Sequence, residues 1–384
     1  LMHGGSALRI TAAMKAPATS SCHAQAEGFF KLARRKLGST LSRIVSRNIG
    51  KMTDRTLRAG NRALVAALKP ATEKRKPPPG AGDWLQGVVV SPTGACNYRV
   101  YRPLDLKAGE HLPLMVMLHG CGQDAKSFAM STRMNQVATR ERFLVLYPEQ
   151  SHLANAQGCW NWYDRRSGKA DAEAATLLAA VDQVARRHPV DLGRVAVAGL
   201  SAGGSMAALL GARYPSRFCA VVMHSGVAPG TAESAATAAA AMRGSRDAHL
   251  PAALVPLPPG GWGGASDGTT TDAPPAHPLP PLLILHGDAD GVVSVRNAAA
   301  TAVLWANAAG ARATASRTLR RGQRYPMQAM EFKAHGQVVV SVREITGLGH
   351  AWSGGAPGLP HSDPAGPDAS ALAWAFVEKQ LGRR

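Results

Sequence analysis

The stretch from Arg194 to Tyr214 limits what this chain can fold into more than any other. It begins with the short apolar run Val195 to Ala198, which reads as a buried strand. Gly199-Leu-Ser-Ala-Gly203 follows, and then an Ala/Leu-rich segment with the composition of a helix. A strand that turns straight into a helix through G-x-S-x-G must do so sharply. The central serine is then forced into a strained conformation, and only glycine fits two positions to either side. Such an elbow lifts the Ser201 hydroxyl above the sheet, at the positive end of the following helix.

Around the elbow the chain alternates apolar runs with helical periodicity. Leu85–Ser91 and Cys96–Tyr101 flank Pro92-Thr-Gly-Ala95 as an antiparallel hairpin. Leu112–Leu118 is continuously apolar, as expected for a central strand buried on both faces. A helix is expected after Asp124, running to Arg140, and the next strand covers Phe143–Tyr147. Ala170–Arg187 carries Leu177, Leu178, Val181 and Val184 at helical spacing, and Phe218–Met223 and Leu282–Leu285 are further strands. Asn297–Ala309 reads as a helix, Met327–Phe332 and Val338–Ile345 as strands joined through His335-Gly336, and about Asp368–Leu381 as the last helix. This alternation predicts an α/β fold with a mainly parallel central sheet and helices on both faces. The pattern fades over residues 226–281. Ala235–Arg243 there reads as helix, and the Gly/Pro/Thr-rich stretch 256–281, with Trp262, reads as a surface insertion.

Charge divides the chain. Residues 1–80 hold 16 of the 44 Lys/Arg but only 3 of the 25 Asp/Glu, although the formal charge of the whole is +19. Basicity therefore belongs to an N-terminal extension, which includes an amphipathic segment over 53–68 and ends in the linker Lys74-Arg-Lys-Pro-Pro-Pro-Gly-Ala-Gly82. The extension reads as a partly disordered, solvated arm with weak, salt-sensitive contact to anionic surfaces; no nucleic-acid partner is expected. The folded catalytic region is expected over 84–384, with its insertion at 226–281. No apolar run reaches the length of a membrane span, and residues 1–30 show no continuous apolar leader core. The five cysteines include no C-x-x-C pair, which argues against a zinc or thioredoxin-like site. Cys121 and Cys159 fall in loops on the site side and are candidates for a bridge; Cys96 and Cys219 fall in strands as buried thiols.

An elbow serine needs a base, and the base needs an orienting acid. Leu282-Leu-Ile-Leu-His-Gly-Asp-Ala-Asp-Gly-Val-Val293 places Asp288 and Asp290 directly after a strand. Asp290 is the preferred acid, because Gly-Val-Val after it suits a loop turning back to the core, and Asp288 is read as a turn residue bonding its own backbone. Gly347-Leu-Gly-His-Ala-Trp-Ser-Gly-Gly355 places His350 in a loop after the last strand. His119 and His286, each before a glycine at a strand end, are expected to bond loop backbone. Two N–H donors for an oxyanion are assigned to Ala202, after the serine, and to Cys121, in His119-Gly-Cys-Gly122. Trp160, in Cys159-Trp-Asn-Trp162, and Trp352 are candidates to contact an apolar substrate, with core packing the alternative for each; Trp160 is the one placed in the cleft. No metal or organic cofactor is called for.

Taken together, His119-Gly-Cys-Gly-Gln123, Gly158-Cys-Trp-Asn-Trp162, Gly199-Leu-Ser-Ala-Gly203, His286-Gly-Asp-Ala-Asp290, Gly349-His-Ala-Trp-Ser-Gly354 and Gly366-Pro-Asp-Ala-Ser370 resemble the extracellular poly(3-hydroxybutyrate) depolymerase family of esterases. The resemblance spans about residues 85–384. It implies an α/β-hydrolase fold, Ser201, Asp290 and His350 as a triad, the Cys121 and Ala202 amides as oxyanion hole, and a Cys121–Cys159 disulfide. It also implies secretion and a polyester or oligomeric 3-hydroxyalkanoate substrate. Feruloyl and acetyl-xylan esterases share the fold family and supply the rival substrate class; a non-catalytic surface-binding protein on the same fold is the rival from another class.

Overall fold

The computed structural model describes residues 78–252 and 278–382. The basic arm apart from its last three residues, the amphipathic segment 53–68, and Trp262 with most of the stretch 256–281 lie outside the described residues.

Strands β1 (Gly82–Ser91) and β2 (Gly94–Pro103) form the expected hairpin, turning through Pro92-Thr93. They lead into β3 (Leu112–Leu118), β4 (Leu144–Glu149), β5 (Val190–Leu200), β6 (Ala220–His224), β7 (Leu282–Gly287), β8 (Arg312–Ala313), β9 (Arg317–Leu319), β10 (Met327–Ala334) and β11 (Gln337–Ile345). The eleven make one sheet in the order β1-β2-β4-β3-β5-β6-β7-β11-β10-β8, with β9 paired to β10. From β4 to β11 every neighbouring pair is parallel, and the hairpins at either end are antiparallel. The turn between β10 and β11 is His335-Gly336, both at positive φ, as a two-residue hairpin turn requires.

The helices are α1 (Ala125–Thr132), α2 (Met134–Glu141), α3 (Lys169–Arg187), α4 (Ala202–Arg213), α5 (Ala235–Met242), α6 (Arg296–Ala308) and α7 (Ala369–Leu381). All of β3 is buried, and its side chains alternate between two cores. Leu112, Leu114, Val116 and Leu118 pack with α3, α4 and α6, whereas Met115 and Met117 pack with α1, α2 and α7. Strict two-residue alternation with apolar groups on both sides leaves a strand no solvent face, which is why it reads as an unbroken apolar run. The result is the α/β-hydrolase arrangement.

The single helix expected from Asp124 to Arg140 is two. Arg133 adopts a left-handed conformation (φ 55°), ends α1 and starts α2. Its guanidinium bonds the Gly354 carbonyl and faces Asp368 at 4.0 Å, so contacts made from the far side of the chain hold the break in place. No helix among the described residues is long and apolar enough to cross a membrane.

Candidate active site

Parallel strands present their carboxyl ends to one edge of the sheet, and ligands of open α/β sheets bind there. Cys121 follows β3, Gln150 follows β4, Ser201 follows β5, Asp290 follows β7 and His350 follows β11. Residues scattered over more than two hundred positions of sequence are thus delivered to one edge.

Ser201 sits at φ 57°, ψ −120°, the strained geometry that the elbow demands. Packing explains both glycines. A Cβ at residue 199 would stand 2.3 Å from the Gly203 carbonyl carbon, and one at residue 203 would stand 2.1 Å from the Leu118 carbonyl oxygen. The start of α4 therefore lies directly against the end of β3. Main-chain bonds complete the turn: Ser201 N donates to His224 O (2.9 Å) and Ser205 N to Ser201 O (2.9 Å). The Ser201 hydroxyl makes no hydrogen bond to another described residue.

The acid and the histidine meet. His350 Nδ1 donates to Asp290 Oδ2 at 2.8 Å, with the Asp290 side chain fully buried and that of His350 12% exposed. Asp290 Oδ1 accepts from the Val292 and Val293 amides, each at 2.9 Å. Burial alone would raise this carboxyl's pKa; the His350 bond and the two amides outweigh it and hold the group at about 2. With its hydrogen on Nδ1, the imidazole keeps Nε2 as an acceptor.

Asp288 is not the self-bonded turn residue expected. Its Oδ1 accepts from Gly347 N at 2.7 Å, tying the acid loop to the loop that carries His350. His119 and His286 do bond loop backbone: His119 Nδ1 to Gly120 O (2.8 Å) and His286 Nε2 to Val293 O (2.8 Å). His119 Nε2 in turn accepts from Gln150 N at 3.0 Å, and burial lowers its pKa to about 4, so the ring is neutral.

Gly120, the residue before Cys121, lies beside the serine. A Cβ at Gly120 would be 3.7 Å from Ser201 Cβ, and among the described residues neither the Cys121 nor the Ala202 N–H has an acceptor. Unspent amides of this kind are what a developing oxyanion requires. Cys121 and Cys159 form a disulfide that anchors the loop.

Trp160 and Trp352 are core residues and not substrate contacts. Trp160 is 2% exposed and donates from Nε1 to His119 O at 3.1 Å, so it packs beneath the loop after β3 rather than lining a cleft. Trp352 is fully buried, donates to Ser370 Oγ and packs edge-on against Phe128. Both fill space below loops, where an indole brings a large apolar body and one donor.

Nothing in the sequence marks His224, a histidine that ends the apolar strand β6. Its carbonyl receives the Ser201 amide, while its ring Nε2 accepts from Ser353 N (3.1 Å) and stacks on Trp352. One buried residue thereby links the nucleophile's backbone to the loop carrying the histidine. Burial, with the nearby His286 and His350, drives its pKa to about 3 and keeps it neutral.

The family model described as Esterase PHB depolymerase matches residues 96–324. Poly(3-hydroxyalkanoate) depolymerase C of Paucimonas lemoignei is 28% identical over 286 residues, which cover 74% of this chain and 64% of that protein. Feruloyl esterase B of Neurospora crassa is 32% identical over 156 residues, 40% of this chain and 52% of that one. The chain thus spans between half and two thirds of these relatives' lengths. Among solved structures, acetyl xylan esterase from Aspergillus awamori aligns with a TM-score of 0.52 at 19% identity, covering 70% of this chain and 94% of that one, a likeness of fold.

Proposed function

We propose, from the premise that this chain belongs to the Esterase PHB depolymerase family, that it is a serine esterase acting on short 3-hydroxyalkanoate esters, polymeric or oligomeric. The bond from His350 to the buried Asp290 carries the reading, because it fixes the tautomer a general base requires. In this mechanism Ser201 Oγ attacks the ester carbonyl and His350 Nε2 takes its proton. The negative charge forming on the carbonyl oxygen is received by the Cys121 and Ala202 N–H groups. His350 then gives the proton to the departing alcohol, and a 3-hydroxyacyl ester remains on Ser201. Water, deprotonated by the same imidazole, attacks that ester and frees the acid. Asp290 stays ionised throughout and stabilises the imidazolium.

Ser201→Ala should abolish nearly all turnover of a soluble butyrate ester without changing the melting temperature. Substantial residual turnover, or failure of a fluorophosphonate to label Ser201 in the parent protein, would show the nucleophile to be misassigned. The similarity to feruloyl esterase B supports a second substrate reading, a feruloyl ester. Clearing of a polyhydroxybutyrate suspension, set against release of ferulate from its methyl ester, separates the two.

A further inference from the structure

Beneath the oxyanion loop one carboxylate gathers three N–H donors, although it has no part in the chemistry above. Glu173, near the start of α3, accepts from Asn161 N at 2.8 Å, from Gln150 Nε2 at 2.7 Å and from the Asn161 side-chain amide. Burial raises its pKa, against the pull of these bonds. Gln150 spends the rest of its capacity close by: Nε2 also reaches Cys159 O (3.0 Å), Oε1 takes Ser151 N (3.0 Å), and the backbone N donates to His119 Nε2. Glu173 therefore clamps the end of β4 to the segment 159–161. That segment includes Cys159, whose disulfide leads to Cys121, and Trp160, whose indole supports the His119 carbonyl. A carboxylate is suited to this place because both of its oxygens only accept, and donors converge on it from two segments.

We propose that Glu173 is a positioning residue: by fixing Gln150 and Asn161 it holds Cys159, and through the disulfide the Cys121 N–H, where the oxyanion develops. This rests on the reading of the Cys121 amide as an oxyanion donor. Glu173→Gln keeps the shape but turns one acceptor into a donor that faces N–H groups. The loop should loosen, and the defect should appear only where the oxyanion is stabilised.

The test compares an aryl butyrate with its thiono counterpart, in which sulfur replaces the carbonyl oxygen and accepts hydrogen bonds poorly. The parent protein should strongly favour the oxygen ester. In Glu173→Gln, kcat for the oxygen ester should fall about 10- to 100-fold with KM within about twofold, and the thionoester rate should change little, so the preference shrinks. If that variant does not fold, Gln150→Met, which cuts the link to the Cys159 carbonyl, should shrink it likewise. A folded variant that keeps the parent preference, or loses both rates in proportion, overturns the positioning role. A parent protein without any preference for the oxygen ester would instead overturn the oxyanion assignment beneath it.

Discussion

The serine elbow and the loops that surround it are built on opposite plans. At the elbow, backbone lies on backbone: Gly203 against the Leu118 carbonyl, Gly199 against Gly203, and Ser201 N on the His224 carbonyl. Around it, side chains hold the loops: Asp290 on two amides and His350, Asp288 on Gly347 N, His119 on Gln150 N, and Glu173 on Asn161 and Gln150. Steric contact between main chains has no slack, so the elbow glycines should accept no side chain without loss of the fold. Polar contacts fail one at a time, so the loops should lose function in steps while the fold survives.

Asp290→Asn puts the largest strain on that contrast. The amide can still accept from the Val292 and Val293 N–H groups, but it no longer enforces the Nδ1–H tautomer. Turnover should drop on the order of 10⁴-fold, about 5 kcal/mol of transition-state stabilisation, with the melting temperature little changed. A variant that lost its fold instead would show that this half, too, is structurally rigid.

Gly203→Ala should do the reverse. A methyl 2.1 Å from a carbonyl oxygen cannot be accommodated unless β3 and α4 separate. The cost should be about 4 kcal/mol or more, seen as loss of soluble protein or a collapsed thermal transition. A variant that folds normally and only turns over slowly would erase the distinction between the two plans.

The sheet and the strained turn at Ser201 were legible because each rests on local pattern. An unbroken apolar run means a strand buried on both faces, and G-x-S-x-G between strand and helix admits one turn. The break at Arg133 was not legible, since its stabilising contacts, Gly354 and Asp368, are more than two hundred residues away. Glu173 stands on an amphipathic helix, where an acidic residue ordinarily faces water; only the arrival of residues 150 and 161 makes it a part-buried acceptor. Trp160 and Trp352 were misread for the same reason, because a loop sequence carries no record of which side of an indole the core occupies. Asp288 was read as serving its own turn, and its partner Gly347 is on another strand's loop.

Acidity should find the loops before the elbow. His119 and His224 are neutral in the fold, with pKa values near 4 and 3, against 6.5 in the unfolded chain. Between those values the unfolded chain binds more protons, so stability falls as pH drops from about 6.5 toward 3, on the order of a few kcal/mol. Asp290, held at about 2, adds a further loss below about 3.8. Urea midpoints measured across this range should decline accordingly, and His119→Gln should flatten part of the slope. A midpoint constant from pH 6.5 to 4 would contradict neutral burial of these rings.

Asp288→Ala is the mildest case and the sharpest probe of stepwise failure. It removes one exposed acceptor, so water can replace the lost bond to Gly347 N, and the cost should be about 1 kcal/mol. That bond joins the acid loop to the histidine loop, so what remains of the effect should fall on their alignment. The expectation is a fall of a few-fold in kcat with KM and melting temperature close to the parent. Asp288→Asn, which keeps an acceptor oxygen in place, should recover most of the rate. If Ala and Asn behave alike, the Asp290–His350 bond alone sets the alignment, and the loops are held more tightly than their separate polar contacts imply.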